Sequence, residues 1–344
     1  ISGTPTVSGS FPYTVSTTGP CVIPTATGTI NVTADATIAL TSVAGSDNQT
    51  LCINTPLLTN ITYNVGGSGT GGIVAGLPTG ITGVYAGGIV TISGTPIVSG
   101  VFNYTVTTAG PCVKPTSTGS ITVTADATLN LTSATGTNNQ SLCINTAIAN
   151  ITYAVGGTGT GGAVTGLPPG VTAAFAGGVI TISGSPISTV GSPFTYTVTT
   201  TGPCVKPTAT GTITVNPDAT INLTSAPPTT SQELCRNSTL VNITYSIANG
   251  GTGATVTGLP TGVTSIFAAG VFTISGSPSV AGTFNYTVNT TGTCVQASAT
   301  GSILVNQLPT ANFNYSTPNC QNKIITFTDA SVANSGVLTS WAWN

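Results

Sequence analysis

Charge is nearly missing from this sequence. Charged residues make up 3% of it, against roughly 25% in an ordinary soluble chain. The basic side chains are Lys114, Lys206, Lys323 and Arg236; the acidic ones are Asp35, Asp47, Asp126, Asp218, Asp329 and Glu233. Four cations spread over 344 residues cannot neutralise a run of phosphates, which excludes nucleic acid as a partner. Histidine and methionine are absent. No Ser-His-Asp or Cys-His arrangement can therefore be assembled, and the few carboxylates are scattered rather than clustered, so the sequence predicts neither an enzyme nor a cofactor site. Apolar runs are short as well. Thr, Ser or Gly interrupts each of them before the roughly 20 residues that a membrane-spanning helix needs.

What fills the space is Thr, Gly, Ser, Val, Ile and Asn. Aliphatic and aromatic residues recur at strict intervals, which argues against disorder. In Val101–Thr107, Val101, Asn103, Thr105 and Thr107 share one face of an extended segment, and Phe102, Tyr104 and Val106 share the other. Ile121–Thr124 and Ile89–Ile92 carry the same β-branched bias. Gly-Gly, Pro-Thr-Gly and Gly-Pro steps punctuate these runs every 8–12 residues or so, and no window has helical periodicity.

The runs also repeat. TISGTP at Thr91–Pro96 returns as TISGSP at Thr181–Pro186 and Thr273–Pro278, and ISGTP opens the chain at Ile1. LCINT stands at Leu51 and Leu142, with LCRNS at Leu234. NITY begins at Asn60, Asn150 and Asn242; GLPTG or GLPPG at Gly76, Gly166 and Gly258; the FNYTV strand at Phe102, Phe194 (as FTYTV) and Phe284. The period is about 91 residues, too long for a solenoid repeat and right for a small β domain. The predicted fold is all-β: a tandem array of immunoglobulin-like β-sandwich domains, each of seven or eight strands, forming an elongated rod. Boundaries fall at Thr33-Ala34-Asp35, Thr124-Ala125-Asp126 and Asn216-Pro217-Asp218. They give the end of a truncated repeat at 1–34, whole repeats at 35–125, 126–216 and 217–306, and a different segment at 307–344. No Gly/Ser-rich or Pro-rich linker separates the units, which predicts a semi-rigid joint. A chain that begins at Ile1, with neither Met nor leader, reads as an internal piece of something longer.

The cysteines stand at 21, 52, 112, 143, 204, 235, 294 and 320. No CxxC spacing suggests a metal, so they read as disulfides in an oxidising, extracellular setting. Two regular pairings fit. Successive pairing gives Cys21–Cys52, Cys112–Cys143, Cys204–Cys235 and Cys294–Cys320, stapling every junction. The other gives Cys52–Cys112, Cys143–Cys204 and Cys235–Cys294, each inside one unit, with Cys21 and Cys320 bonded beyond the segment. The second is preferred, because a domain that folds as a unit should hold its own staple.

At GLPTGI…GGIVTISGTPIVSGVFNYTV the sequence resembles the immunoglobulin-like repeats of very large bacterial surface proteins, over almost all of residues 1–306. The LCINT…NITY opening and the TTGPC…TATGTITV ending are similar to the variety found in Bacteroidota. The tail, PTANFNYSTPNC…ITFTDAS…SWAWN, resembles the start of a PKD domain, and stops at Asn344 where that family's Phe-Gly-Asp-Gly is expected. The resemblance implies a cell-surface or secreted adhesin, exported by the type 9 system, with the gliding-motility adhesins as the best-known group.

Several residues invite a sharper reading. Gly67-Ser68-Gly69-Thr70-Gly71-Gly72 and Gly157–Gly162 match GxGxxG, but the third copy, Gly251-Thr252-Gly253-Ala254-Thr255, does not. A strand follows where a dinucleotide site needs a helix, so the expectation is a hairpin loop. Asp35, Asp126 and Asp218 mark equivalent junctions; a lone carboxylate is too little for calcium, so turn capping is expected and no metal. Lys114 and Lys206 follow a cysteine where isopeptide chemistry is conceivable, but Ile23 and Gln296 replace them elsewhere and no Glu assists. Tyr63, Tyr85, Phe102 and Tyr104 recur in every whole unit, with Phe175 and Phe267 for Tyr85; core packing is preferred over a glycan-stacking strip. Asn-x-Ser/Thr triplets such as Asn60-Ile61-Thr62 follow from composition. The leading function is a stalk that holds an adhesive tip away from the cell. Its partners would be neighbouring repeats of the same chain and, through the distant tip, surface polysaccharide or other cells. The alternatives are a weak glycan module acting by avidity and a self-associating fibre favoured by low charge.

Overall fold

The computed structural model describes residues 1–318 and 320–343, so Asn344, where the PKD-like segment stops, lies outside the described residues. An N-terminal hairpin pairs β1 (Gly9–Ser16) with β2 (Thr25–Val32). Three eight-stranded units follow. The first holds β3 (Ala36–Leu40), β4 (Asn48–Cys52), β5 (Ile61–Gly67), β6 (Gly71–Ala75), β7 (Ile81–Ala86), β8 (Ile89–Gly94), β9 (Gly100–Ala109) and β10 (Thr116–Thr124). The second repeats it as β11 (Ala127–Leu131), β12 (Asn139–Cys143), β13 (Ile151–Gly157), β14 (Gly161–Thr165), β15 (Val171–Ala176), β16 (Val179–Gly184), β17 (Phe194–Thr201) and β18 (Thr208–Asn216). The third runs β19 (Ala219–Leu223), β20 (Ser231–Cys235), β21 (Ile243–Asn249), β22 (Gly251–Thr257), β23 (Val263–Ala268), β24 (Val271–Gly276), β25 (Gly282–Gly292) and β26 (Ser298–Asn306). The only helical turn among the described residues is a 3-10 turn at Pro227–Thr230.

Each unit is a sandwich of two four-stranded sheets. In the first, the sheet ordered β3-β5-β8-β7 packs on the sheet ordered β4-β10-β9-β6, and the other two units copy this order. The alternation read from the sequence sets the inner faces. Tyr63, Val90 and Ile92 from one sheet meet Tyr104, Val106 and Ile121 from the other, all buried. Burying such side chains contributes roughly 1.5–3 kcal/mol each and drives the two sheets together. The equivalent cores in the next two units centre on Tyr153 and Tyr196, and on Tyr245 and Tyr286.

All pairings within a unit are antiparallel except one. The short strands β4, β12 and β20 run parallel to the last strands β10, β18 and β26. The chain between β4 and β10 crosses the whole sandwich, long enough for a parallel connection. The register has one large consequence: Cys52 lies opposite Thr124, Cys143 opposite Asn216 and Cys235 opposite Asn306, each at the C-terminal end of its unit.

The glycine segment at Gly67–Gly72 is not a hairpin loop. Its flanking strands belong to different sheets, β5 pairing with β3 and β8, and β6 with β9, so the segment carries the chain from one sheet to the other. Gly67 takes a φ of 63°, and a Cβ there would collide with the Asp35 carbonyl; both conditions favour glycine. After the third unit, β27 (Phe313–Tyr315) pairs with β28 (Phe327–Asp329). The rings of Phe313, Phe327 and Trp343 cluster there while remaining about half exposed.

Candidate functional site

The junction between repeats gathers the most chemistry. The last strand of one unit passes into the first strand of the next through Ala125-Asp126, with no linker between β10 and β11. Asp126 is held by a turn 79 residues away in sequence: the Val205 amide donates to its Oδ1 at 3.3 Å. The Ala127 amide in turn donates to the Val205 carbonyl at 3.2 Å. The same reciprocal clip joins Asp35 and Ala36 to Val113, and Asp218 and Ala219 to Val295. The junction aspartates thus cap a turn, and that turn is the one between the last two strands of their own repeat. The sequence could not show this, because the partner valine lies at the far end of the repeat unit.

The residue before each valine is a cysteine, and here the structure corrects the expected pairing. The bonds are Cys52–Cys204 and Cys143–Cys294, with Cα separations of 5.6 and 5.5 Å. Cys52–Cys112, Cys143–Cys204 and Cys235–Cys294 do not form. Neither does successive pairing, since Cys21, Cys112, Cys235 and Cys320 carry no disulfide. The reason is geometric. Cys52 ends β4 at the C-terminal end of its unit, whereas Cys112 lies in the turn before β10, at the opposite end. The nine residues of β10 separate them by roughly 26 Å at 3.3 Å per residue, and a disulfide tolerates Cα atoms no more than about 7 Å apart. The turn of the following unit, by contrast, is carried to Cys52 by the junction itself. The Cys52 sulfur lies 3.8 Å from the Pro203 carbonyl, and the Cys204 sulfur 3.7 Å from the Thr124 carbonyl. Cys143 and Cys294 meet in the same way, against Thr293 and Asn216. Cys112 already occupies that position beside Thr33, its thiol 3.7 Å from the carbonyl.

Two buried polar devices escaped the sequence reading. The first is a glutamine just before each Leu-Cys pair. Gln49 donates to the Ser46 and Thr59 carbonyls at 2.9 and 2.8 Å and accepts from the Leu58 amide at 3.0 Å. Gln140 and Gln232 donate to the equivalent carbonyls, and accept from the Ala149 and Val241 amides, one position further along than Leu58. Its signal was available in the repeats, where Gln49, Gln140 and Gln232 keep register while their neighbours vary. The second is a tyrosine pair across the core: Tyr63 and Tyr104 hydroxyls meet at 3.1 Å, and Tyr104 donates on to the Asp47 carbonyl at 3.2 Å. Tyr153 with Tyr196, and Tyr245 with Tyr286, repeat the pair. Burial, reinforced by the partner hydroxyl, holds the Tyr104, Tyr196 and Tyr286 phenols well above the ordinary value of 10.0.

The remaining candidates stay apart. Lys114 and Lys206 are exposed. Tyr85 and Phe102 pack on the core that encloses Tyr63 and Tyr104, as Phe267 and Phe284 do in the third unit and Phe194 in the second; Phe175, the counterpart of Tyr85 in the second unit, is exposed instead. No group of three His, Cys, Asp or Glu side chains comes together among the described residues, and no helix there is long and apolar enough to cross a membrane.

Comparison with solved structures agrees with this architecture. Two three-domain fragments of titin, both spanning domains I67-I69, superpose with TM-scores of 0.57 and 0.56 at 11% identity. Each match covers 80% of this chain and 99% or 100% of the titin fragment. No protein-family model and no curated protein matches the sequence. At such low identity the likeness shows the fold alone: this chain is a tandem array of immunoglobulin-like β-sandwiches.

Proposed function

We propose that the chain is a structural stalk segment of a very large secreted or cell-surface bacterial adhesin, extending an adhesive tip from the cell. The observation that carries this reading is the junction, where near-identical units are joined by a linker-free chain and a disulfide. A spacer needs length and fixed joints rather than varied surfaces. The disulfides fit an oxidising compartment, and the resemblance of 1–306 to Bacteroidota surface repeats, with a PKD-like start at 307–344, supports export by the type 9 system and a gliding-motility type of adhesin. Its partners are then neighbouring repeats of the same chain, and surface polysaccharide or other cells are met only by the distant tip. Catalysis has no part in this reading. A glycan-binding role for each repeat loses its strip, because the recurring tyrosines are buried.

Small-angle scattering of the native chain tests the proposal. The expected particle is a rod to which each repeat adds roughly 35–45 Å, from strands rising about 3.3 Å per residue. A globular particle, or binding of several glycans by the repeats on an array, would overturn it.

A further inference from the structure

We infer that the disulfide pattern makes the array nearly inextensible: unfolding a repeat releases almost no length, because tension bypasses most of its chain. The inference stands on the bonding pattern and holds whatever task the array performs.

The middle repeat shows why. It is tied to the preceding repeat at Asp126, by the peptide chain, and at Cys204, by its bond to Cys52. It is tied to the following repeat at Asn216, by the peptide chain, and at Cys143, by its bond to Cys294. In chain order the ties alternate: Asp126 backward, Cys143 forward, Cys204 backward, Asn216 forward. Two short segments, 126–143 and 204–216, therefore connect one neighbour directly to the other. The long segment 143–204 hangs as slack between its own bonds. If every hydrogen bond of this repeat broke while its neighbours stayed folded, the gap would open only until 204–216 drew taut. That segment of about 12 residues reaches about 40 Å at 3.3–3.6 Å per residue. In the folded state most of it is already extended as β18. Without the bonds the same repeat would release about 91 residues, roughly 300 Å of chain.

The connectivity forms two interleaved covalent tracks. One runs from Cys21 to Cys52, crosses to Cys204 and continues to Cys235; the other runs from Cys112 to Cys143 and crosses to Cys294. The segments that straddle a junction, 21–52, 112–143 and 204–235, are each about 31 residues, so an array in which every such cysteine is bonded in this way would be limited to about 15 residues of chain per repeat. In this chain Cys21, Cys112 and Cys235 carry no disulfide. The shortest covalent path across all three unfolded repeats therefore runs through 35–52, 143–204 and 294–306, about 90 residues, and the slack segment 143–204 is drawn out only when the last repeat opens. At the junctions after Thr124 and after Asn216, one track crosses as peptide while the other crosses as a disulfide. The common arrangement in which a domain carries its own staple would shorten each unfolded domain separately. The bonds between neighbours instead hand the load past the domain altogether.

The test is single-molecule pulling on the native chain by its two ends, with and without a phosphine reductant. Mass spectrometry of the unreduced protein is expected to recover Cys52–Cys204 and Cys143–Cys294; intra-repeat bonds there would overturn the inference. In reductant, the three repeats should give three steps of roughly 260–290 Å each, from about 91 residues less the folded span. Oxidised, the first two repeats to open should each give a step below about 60 Å, and the last a single step of roughly 200 Å. The flanking segments 1–34 and 307–344 should release the same length in both conditions. A chain carrying Cys143→Ser and Cys294→Ser keeps only the first bond. It should regain one full-length step, from the third repeat, while the other two stay short. Full-length steps from all three repeats of the oxidised native chain, or from none in the variant, would overturn the inference.

Discussion

At the scale of single residues, the structure turns on a few polar groups held where they cannot reach water. Tyr196 shows the arrangement. Its hydroxyl meets Tyr153 at 3.3 Å and the Asn138 carbonyl at 3.2 Å, and it passes over Gly211 to do so. A Cβ at Gly211 would overlap both that hydroxyl and that carbonyl. Overpacking costs roughly 1–3 kcal/mol and the broken hydrogen bond about 1 more. Gly211→Ala should therefore destabilise the middle repeat by roughly 2–4 kcal/mol, read as a lower denaturant midpoint at an unchanged slope. Gly119→Ala and Gly301→Ala should do the same to their own repeats, since each glycine lies under Tyr104 or Tyr286. These phenols also set an alkaline limit. Their folded pKa values are raised above 10.0, so the stability they contribute is complete below that pH and declines above it, as the unfolded chain loses protons that the folded chain keeps. Phenolate absorbance from Tyr104, Tyr196 and Tyr286 should appear only with unfolding. Ionisation of these three phenols in a chain that is still folded would refute this.

At the scale of elements, the sandwich was largely legible and the junction was not. Alternation in Phe102, Tyr104 and Val106 named the inner face correctly, because the period-two rule is local and needs only the strand itself. Adjacent runs in sequence usually pair, which predicts a hairpin at Gly67–Gly72 where the chain instead switches sheets. Nothing local reports that β6 pairs with β9 instead. The disulfides failed for a related reason. A separation of about 60 residues closes a loop of familiar size, but sequence distance carries no information about which end of a sandwich a cysteine occupies. The parallel strand β4, which reverses that end, has no sequence signature of its own. The clip at the junction offers a test at this scale. In Asp126→Ala the Val205 amide loses its acceptor, and hydrogen exchange at Val205 should speed by about tenfold, as for a loss of roughly 1.4 kcal/mol, while amides in the Tyr153–Tyr196 core keep their protection. Equal acceleration in the core would place Asp126 in the fold rather than in the joint.

At the scale of the whole molecule, the scarcity of charge becomes a physical property. The net charge is -2 over 344 residues, and most charged groups are isolated from one another. Electrostatic work therefore contributes little to holding the repeats together or apart. The thermal midpoint should be nearly constant from about 0.01 M to 1 M sodium chloride, a range over which the Debye length falls from ~30 to ~3 Å. A shift of more than a few degrees would show that ion pairing or repulsion matters here. Sedimentation at rising concentration reports on the same feature, since a surface with little repulsion allows lateral association.

The placement of Cys52 against the following repeat also dictates an order of assembly. In the unfolded chain the partner of Cys52 lies 152 residues further along, while Cys112 is far closer in sequence. A disulfide formed at that stage would join the wrong pair. Folding prevents it: once β10 lies beside β4, Cys52 and Cys112 are held at opposite ends of a finished sandwich. Cys52 then stays unpaired until the next repeat has folded and brought its own turn into reach. Each bond can therefore close only once the two repeats it joins have folded, and a repeat that misfolds leaves the thiol of its predecessor unpaired.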